Sequence, residues 1–568
     1  MHGYGHLILH SGQVMTGNIF DYFETPTREG TPACWAARAP RRPHSDFDIK
    51  LIPRTRNWRE DAHSLETLAQ MQREPWVDAV VHNGEGARLR LSDDWIATTG
   101  AALEAGAGAE AALADLAHGR RISVQFWDAN ATKALHAGHL RNLAIGNALA
   151  AALAQAGAQV ERRSLISDAG RSMGEAMAGV MSSGRHDRSW PDTDEKSDHF
   201  VGVCYADYVT SGGSFTQEEI NPEDSLTREL TLKGDAADEL LKQVLHGERE
   251  ALELWYKTRA WVIAGQRKTL ARLGVAFDRV FFESDFLGEA AELTALGLRE
   301  GRLRRREDGV VVYVTGREDF EELPLVRADG LPTQHLRAVA YWTTEAHALA
   351  HSTSVQVCGT EWVSHAICIQ QLMSELSLAE NEAVHPSQDI FHGMVSKQKR
   401  AIASSAGALL IDELTEWLDT QIDSDPERLR VRRSHPSPER IVATVVLGYF
   451  LPQPVAPHID FSPDKLLHER ESLGWELVRA RAQSGRTGVV NGRRPLDNPD
   501  YRFAVVQSEL YRRYLRLTAQ RFDVRPLAHY LKHLAAWYLE RERDEHVERV
   551  VHTLLDRSAR GLGLEVTR

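Results

Sequence analysis

The chain has 568 residues, room for about three or four domains, because a single hydrophobic core stops growing well below that length. Hydrophobic residues at 42% and charged residues at 26% are ordinary globular values and exclude a disordered or fibrous chain. A formal net charge of −13 argues against nonspecific coating of nucleic acid, which needs Lys and Arg against phosphate, and leaves room only for a local basic face.

Cys34, Cys204, Cys358 and Cys368 are few for this length and show no CxxC spacing. They predict reduced thiols rather than disulfides or a zinc knuckle, and no cysteine-based metal site. Residues 1–13 carry no basic flank ahead of a short apolar stretch, and no uncharged apolar run of about 18 residues follows. The expectation is a cytoplasmic protein with no membrane contact.

Residues 1–118 mix short strand-like runs, such as 48–51, with an Ala/Gly-rich helical stretch at 101–118, and predict a small α+β N-terminal domain with a connector. From Arg121 the pattern sharpens. Ile122, Val124 and Phe126 alternate with Ser123, Gln125 and Trp127, the period of a strand. A loop leads to an Ala- and Leu-rich helix over 138–156, closed by Gly157, and a second strand follows at 160–166. Strand, helix, strand in this order is a βαβ unit, so an α/β fold with a Rossmann-type parallel sheet is predicted, with ligands at the strand ends.

Residues 183–270 carry polar turns, Pro191, Pro222 and an amphipathic helical stretch through Glu239, Leu245, Leu252 and Trp255, which reads as an insertion dividing the nucleotide-binding fold. The second half is expected to return with the runs at 310–314, 336–342 and 355–358. Beyond the proline-bearing tract 424–439 the pattern is helical to the end. The predicted division is 1–118, an α+β N-terminal domain; 119–425, the parallel-sheet domain with its insertion; and 426–568, an α-helical domain. The arginines at 428–433, and Arg479, Arg481, Arg486, Arg493 and Arg494, are candidate nucleic-acid contacts.

The chemistry concentrates in Asn130, Lys133, His136, Gly138, His139, Leu140 and Arg141, in the first strand-to-helix turn. A helix N-terminus offers free N–H groups and the positive end of its dipole to phosphate. Two imidazoles one turn apart add donors to the same anion, and Gly138 lets a flat base approach the backbone. The strand, HxGH, helix pattern is shared by nucleotidyltransferases, so alone it says ATP and chemistry at the α-phosphate.

The wider spacing, Asn130-x-x-Lys133-x-x-His136-x-Gly138-His139-Leu140-Arg141, resembles the arginyl-tRNA synthetase signature SPNxxKPxHxGHLRS. The likeness continues in order through Ile145 and Gly146; Asp168, Gly170 and Gly174; Asp198, His199, Phe200, Gly202 and Tyr205; and Gly247, Trp255 and Trp261. Gly274, Phe277, Asp278, Glu283, Ser284, Asp329, Gly330, Arg337, Gly359, Gly393 and Met394 follow. Gly448, Tyr449 and the runs 461–466, 474–481 and 561–564 resemble the helical anticodon-binding domain of that family, and residues 77–95, more weakly, its extra tRNA-binding domain.

The resemblance implies a class I synthetase, a monomer, using ATP with Mg2+, an amino acid and tRNA. Lys133, His136 and His139 would be catalytic. Gly138, Gly359, Thr360, Glu361, Lys397 and Lys399 would bind ATP. Gln125, Asn130, Gln334, Ala338 and Trp362 would line the amino-acid pocket, with Asn130 on the α-amino group. Two departures stand out. The KMSKS-like stretch reads Ala401, Ile402, Ala403, Ser404, Ser405, Ala406, Gly407 with no lysine inside, and the family's alternative, the lysine before the first histidine, is present as Lys133.

The second departure is the pocket, where Gln125, Gln334 and Ala338 stand at positions that in the family grip a guanidinium with acids and a tyrosine, and Trp362 replaces a glutamine. A buried guanidinium without its carboxylate loses about 3 to 5 kcal/mol, which predicts weak selection of arginine. Asp128 and Glu361 are the nearby acids, and in a regular strand Asp128 would point away from Gln125. Three readings therefore stand: an arginine–tRNA ligase with an unusual pocket, a paralogue activating another amino acid for tRNA or a small acceptor, and a non-catalytic tRNA-binding protein.

Overall fold

The computed structural model describes residues 7–8, 14–15, 19–22, 35–54, 57–83, 85–106, 113–187, 195–211, 230, 233–318, 321–346, 348–349, 352–376, 387–397, 400–401, 409–483, 495–541 and 544–564. Strands β1 (Trp35–Arg38), β2 (Ile49–Pro53), β3 (Val77–Asn83) and β4 (Gly86–Leu91) form an antiparallel sheet in the order β1-β2-β4-β3. Helices α1 (Ala62–Met71) and α2 (Asp93–Glu104) accompany it; Asp61 and Ser92 cap them by accepting from Ser64 N and Trp95 N. Trp35, Trp58, Trp76 and Trp95 are buried in this unit.

Strand β5 (Arg121–Trp127) is the middle strand of a five-stranded sheet and is followed by α3 (Leu140–Gln155) and β6 (Gln159–Ile166). Sequence alternation marks one inward face of β5, yet every residue from 122 to 127 is buried, because a parallel sheet is covered on both sides. Gly146 allows the close contact of α3 on β5; a Cβ there would lie 2.1 Å from the Phe126 Cβ. Gly157, at φ 93°, ends the helical segment as its sequence position predicts.

After β6 come α4 (Arg171–Ser182), α5 (Ser197–Ser211), α6 (Ala236–Leu245) and α7 (Arg249–Leu273), and then β7 (Arg279–Phe282) and α8 (Leu287–Arg299). A small antiparallel sheet of β8 (Leu303–Arg305), β9 (Val311–Val314) and β10 (Glu322–Val326) precedes α9 (Gln334–Ala346), β11 (Thr353–Gly359), α10 (Val363–Leu376) and β12 (Ser387–His392). The central five-stranded sheet has the order β12-β11-β5-β6-β7, all parallel. Its strand order reverses between β5 and β11, where ligands of such sheets sit.

Of the three runs expected to rebuild the second half, only 355–358 joins this sheet. Residues 311–314 belong to the separate antiparallel sheet, and 336–342 lie inside α9. Local pattern does not say which sheet a strand joins, and a short apolar run does not by itself distinguish strand from buried helix, as at 336–342.

Beyond β13 (Val395–Lys397) the chain is largely helical: α11 (Ile411–Ser424), α12 (Pro426–Ser434), α13 (Ile441–Phe450), α14 (Leu473–Ala482), α15 (Pro499–Arg521), α16 (Arg525–Leu539) and α17 (Glu545–Gly561). One apolar cluster runs from Trp35 and Trp95 through Leu143 and Leu149 to Val505 and Leu555, so these helices share a core with α3 and the N-terminal sheet. Arg502 is buried and binds Asp48 bidentately at 3.0 and 2.7 Å and Asp93 at 2.6 Å, joining α15 to the N-terminal unit.

Candidate active site

The turn after β5 is held from two sides. Ser167 N donates to Ala129 O at 3.0 Å and Ala131 N to Ser167 O at 2.9 Å, tying the turn to the end of β6. From α7, the Gln266 amide donates to the carbonyls of Asn130 and Lys133 at 3.1 and 2.8 Å. Gly202 of α5 brings that helix against Lys133, whose ammonium stands 6.0 Å from the centre of the Tyr205 ring. Asn130 presents an exposed side chain at this edge.

His136 caps the 3-10 turn Ala137–His139. Its Nδ1 accepts from Gly138 N at 3.2 Å, which fixes the tautomer with the proton on Nε2. His139 Nδ1 rests against the His136 peptide, 3.1 Å from N and 3.2 Å from O, and the two rings lie 4.0 Å apart. Both imidazoles are half-exposed to the cleft, but densely surrounded by protein. That surrounding, their mutual proximity and Lys133 push the His136 pKa well down; burial and Lys133 push that of His139 down to about 4. The pair is neutral near pH 7, and both Nε2 atoms have no hydrogen-bond partner among the described residues.

Arg141, the second residue of α3, is fully buried and donates to the carbonyls of Gly393, Pro454, Val455 and Pro457, so this motif residue clamps the helix start to the segments around it. Burial lowers its pKa to about 10. Arg337 is also structural: it donates to Glu283 at 2.7 Å, and Glu283 accepts from Ser167 at 2.8 Å. Buried Asp168 binds Ser284 N, Ser284 Oγ and Arg259 at 2.9, 2.7 and 2.7 Å, fixing the ends of β6 and β7.

In the pocket the structure corrects the expected direction of Asp128. A register shift between Gln125 and Trp127 breaks the regular strand, and Gln125 Nε2 donates to Asp128 Oδ1 at 3.1 Å and Oδ2 at 3.3 Å. Gln356 Nε2 from β11 approaches at 3.4 Å. Asp128 is open to the cleft yet closely ringed by protein, and that burial pushes its pKa up to about 6 against the hydrogen bonds from Gln125, Leu165 N and Gln356. Gln125 Oε1 is buried without a partner among the described residues. Tyr341, buried on α9, lies close enough to feel the charges of Arg163 and Asp128.

Gln334 and Ala338 occupy one face of α9, one turn apart and half-buried. Trp362 stands 6.3 Å from His335 and 5.6 Å from His365, ring centre to ring centre. Gly359 ends β11 beside β5, with Thr360 and Glu361 in the next turn; a Cβ on Gly359 would fall 2.1 Å from Glu361 Oε1. Burial raises the Glu361 pKa, and its Oε2 has no hydrogen-bond partner among the described residues. Lys397 ends β13; its side chain, Lys399, and the KMSKS-like residues 402–408 lie outside the described residues.

Among the described residues, no group of three or more His, Cys, Asp or Glu side chains is placed to hold a metal ion. No helix among them is long and apolar enough to cross a membrane. Among the described residues Cys204, Cys358 and Cys368 are in no disulfide, and all three are buried. Of the basic tracts, Arg428, Arg430 and Arg432 face Asp425, Glu427, Asp419 and Asp423, and Arg479 and Arg481 face Glu469 and Asp556, which reduces the positive surface the sequence suggests. Arg486, Arg493 and Arg494 lie outside the described residues.

A parallel sheet with its strand-order reversal beside a paired-histidine turn is the nucleotide-site arrangement that class I synthetases share with other nucleotidyltransferases. The sequence model described as tRNA synthetases class I (R), catalytic domain, matches residues 107–444, and the chain belongs to this family. Similar curated proteins include the arginine–tRNA ligases of Borrelia hermsii, 26% identical over 53% of this chain and 51% of that one, and of Treponema denticola, 26% identical over 63% and 58%. The chain thus spans about half the length of the curated relatives it matches. Among solved structures, Thermus thermophilus arginyl-tRNA synthetase superposes with a TM-score of 0.61 at 20% identity, covering 94% of this chain and 96% of that one. The Plasmodium falciparum enzyme gives 0.61 at 14% identity, covering 96% of each.

Proposed function

We propose that the protein is an arginyl-type aminoacyl-tRNA ligase. The carboxylate of a bound amino acid attacks the α-phosphorus of ATP and pyrophosphate leaves; a ribose hydroxyl of tRNA then attacks the acyl carbon of the adenylate, and AMP leaves. The observation that carries this reading is the His136–His139 turn: two neutral imidazoles with unengaged Nε2 atoms at the head of α3, beside Lys133. Preorganised donors of this kind stabilise charge developing on a phosphoryl group without covalent chemistry.

In this reading Gly138, Gly359, Thr360, Glu361, Lys397 and Lys399 serve ATP, and Gln125, Asn130, Gln334, Ala338 and Trp362 line the amino-acid pocket. Mg2+ enters with the nucleotide phosphates. The units 1–118, 119–425 and 426–568 are an accessory domain, the catalytic domain and a tRNA-facing helical domain of a cytoplasmic monomer.

Asp128 supports a cationic amino acid. The Gln125 amide nitrogen is turned toward Asp128, which leaves the Gln125 carbonyl and the carboxylate as acceptors that suit a donor-rich guanidinium. The neutral Gln334, Ala338 and Trp362 favour the second reading, activation of a neutral polar amino acid. Replacing His139 with Ala should reduce amino-acid-dependent pyrophosphate exchange by at least about 100-fold; an undiminished rate would remove the turn from the chemistry.

A further inference from the structure

Helix α7 touches the chain on both sides of the histidine turn. Gln266 holds the carbonyls of Asn130 and Lys133 ahead of it. One turn later on the same helix, Thr269 donates to Asp412 Oδ1 at 3.0 Å. Asp412 lies at the start of α11, and the residues just before it run antiparallel to the histidine turn: Ala137 N donates to Leu409 O at 2.8 Å, and Ile411 N to Leu135 O at 3.0 Å. His136 is therefore held between two segments, each pinned to α7.

Asp412 gathers more than Thr269. The Lys196 ammonium donates to it at 2.6 Å and His199 Nε2 lies 2.8 Å away, while Lys196 also meets Asp198 at 3.0 Å and Thr269 at 2.6 Å. The titratable groups here are Lys196, Asp198, His199 and Asp412; the Arg272–Asp419 pair, at 2.7 Å, lies two turns further along α11. With His199 protonated the cluster holds two cations and two anions. With His199 neutral one carboxylate charge is uncompensated around Asp198, which is fully buried, and such an imbalance is costly.

We propose that Asp412, held by Lys196, His199 and Thr269, is a positioning residue that fixes the phosphate-binding histidine turn, so that the charge state of His199 sets how well that turn is aligned. Asp412 acts through Leu409 and Ile411 on Leu135 to Ala137. The hydrogen bond to Asp412 raises the His199 pKa and, with Lys196, brings that of Asp412 to about 2 despite burial. The sign follows: alignment is complete where His199 is protonated and weakens as pH rises through its raised pKa.

This inference rests on the ATP-site reading above, and its test separates the two. Pyrophosphate exchange by the full chain with tRNA and ATP binding by calorimetry are measured from pH 6 to 9 for wild type, His199→Ala, His199→Gln and Asp412→Asn. Wild-type exchange should fall about three- to tenfold on the alkaline side, the scale of one partly exposed ion pair. His199→Gln, which keeps an N–H donor that does not titrate, should lose that alkaline limb while retaining turnover. His199→Ala should lose exchange through kcat at all pH values, and Asp412→Asn more so. His199→Ala and His199→Gln with wild-type kcat and pH profiles would overturn the positioning role. A wild type that binds ATP with pH-dependent affinity but exchanges no pyrophosphate would defeat the ligase reading alone, and pH-independent ATP binding in that case would defeat the positioning role as well.

Discussion

His136, His139 and Lys133 were legible in the sequence because their spacing and their place after a strand constrain one another. Asp128 was not: the register shift after Gln125 that turns it toward that side chain is a backbone irregularity with no compositional signal. Its raised pKa gives a signed prediction. A carboxylate with a pKa of about 6 is protonated below that pH, so kcat/KM for a cationic amino acid should fall as pH drops through about 6, on the acid side of the limb assigned to His199. The Asp128→Asn variant should lose that acidic limb and show a raised KM for the amino acid with an unchanged KM for ATP. A wild-type profile from this variant would remove Asp128 from recognition.

The strands and helices that build the site follow from local pattern plus a few close approaches. Both β5 and α3 were readable from period and from Gly157, and their intimate contact depends on Gly146 lying against Phe126. Gly146→Ala puts a methyl group into the Phe126 side chain, and overpacking of that kind costs about 1 to 3 kcal/mol, read as a lower denaturant midpoint with an unchanged slope. The run at 311–314 is a strand but of a separate antiparallel sheet, which local pattern does not assign, and the run at 336–342 is a helix whose near-continuous apolar character hides its period. Gln266, Thr269 and Asp412 carried no sequence signal at all; they matter because α7 brings them to the turn across more than a hundred residues of chain.

At the scale of the whole molecule, the helices beyond residue 425 share one apolar core with α3 and the N-terminal sheet, and Arg502 lies buried between Asp48 and Asp93. Removing the C-terminal helices would strip α3 of its packing, so truncation is predicted to give an unfolded chain rather than an active catalytic domain. Arg502→Met leaves Asp48 buried without its cation and should cost about 3 to 5 kcal/mol in global unfolding, with thermal melts as the check. The proposed amino-acid activation turns on which side chain Gln125 and Asp128 select. The most direct measurement is a pyrophosphate-exchange screen of the proteinogenic amino acids, with and without total tRNA. Arginine should lead by a factor of about 10 to 100, the scale of a hydrogen bond to a charged group; a neutral amino acid leading the screen, or no amino acid supporting exchange, would contradict the account.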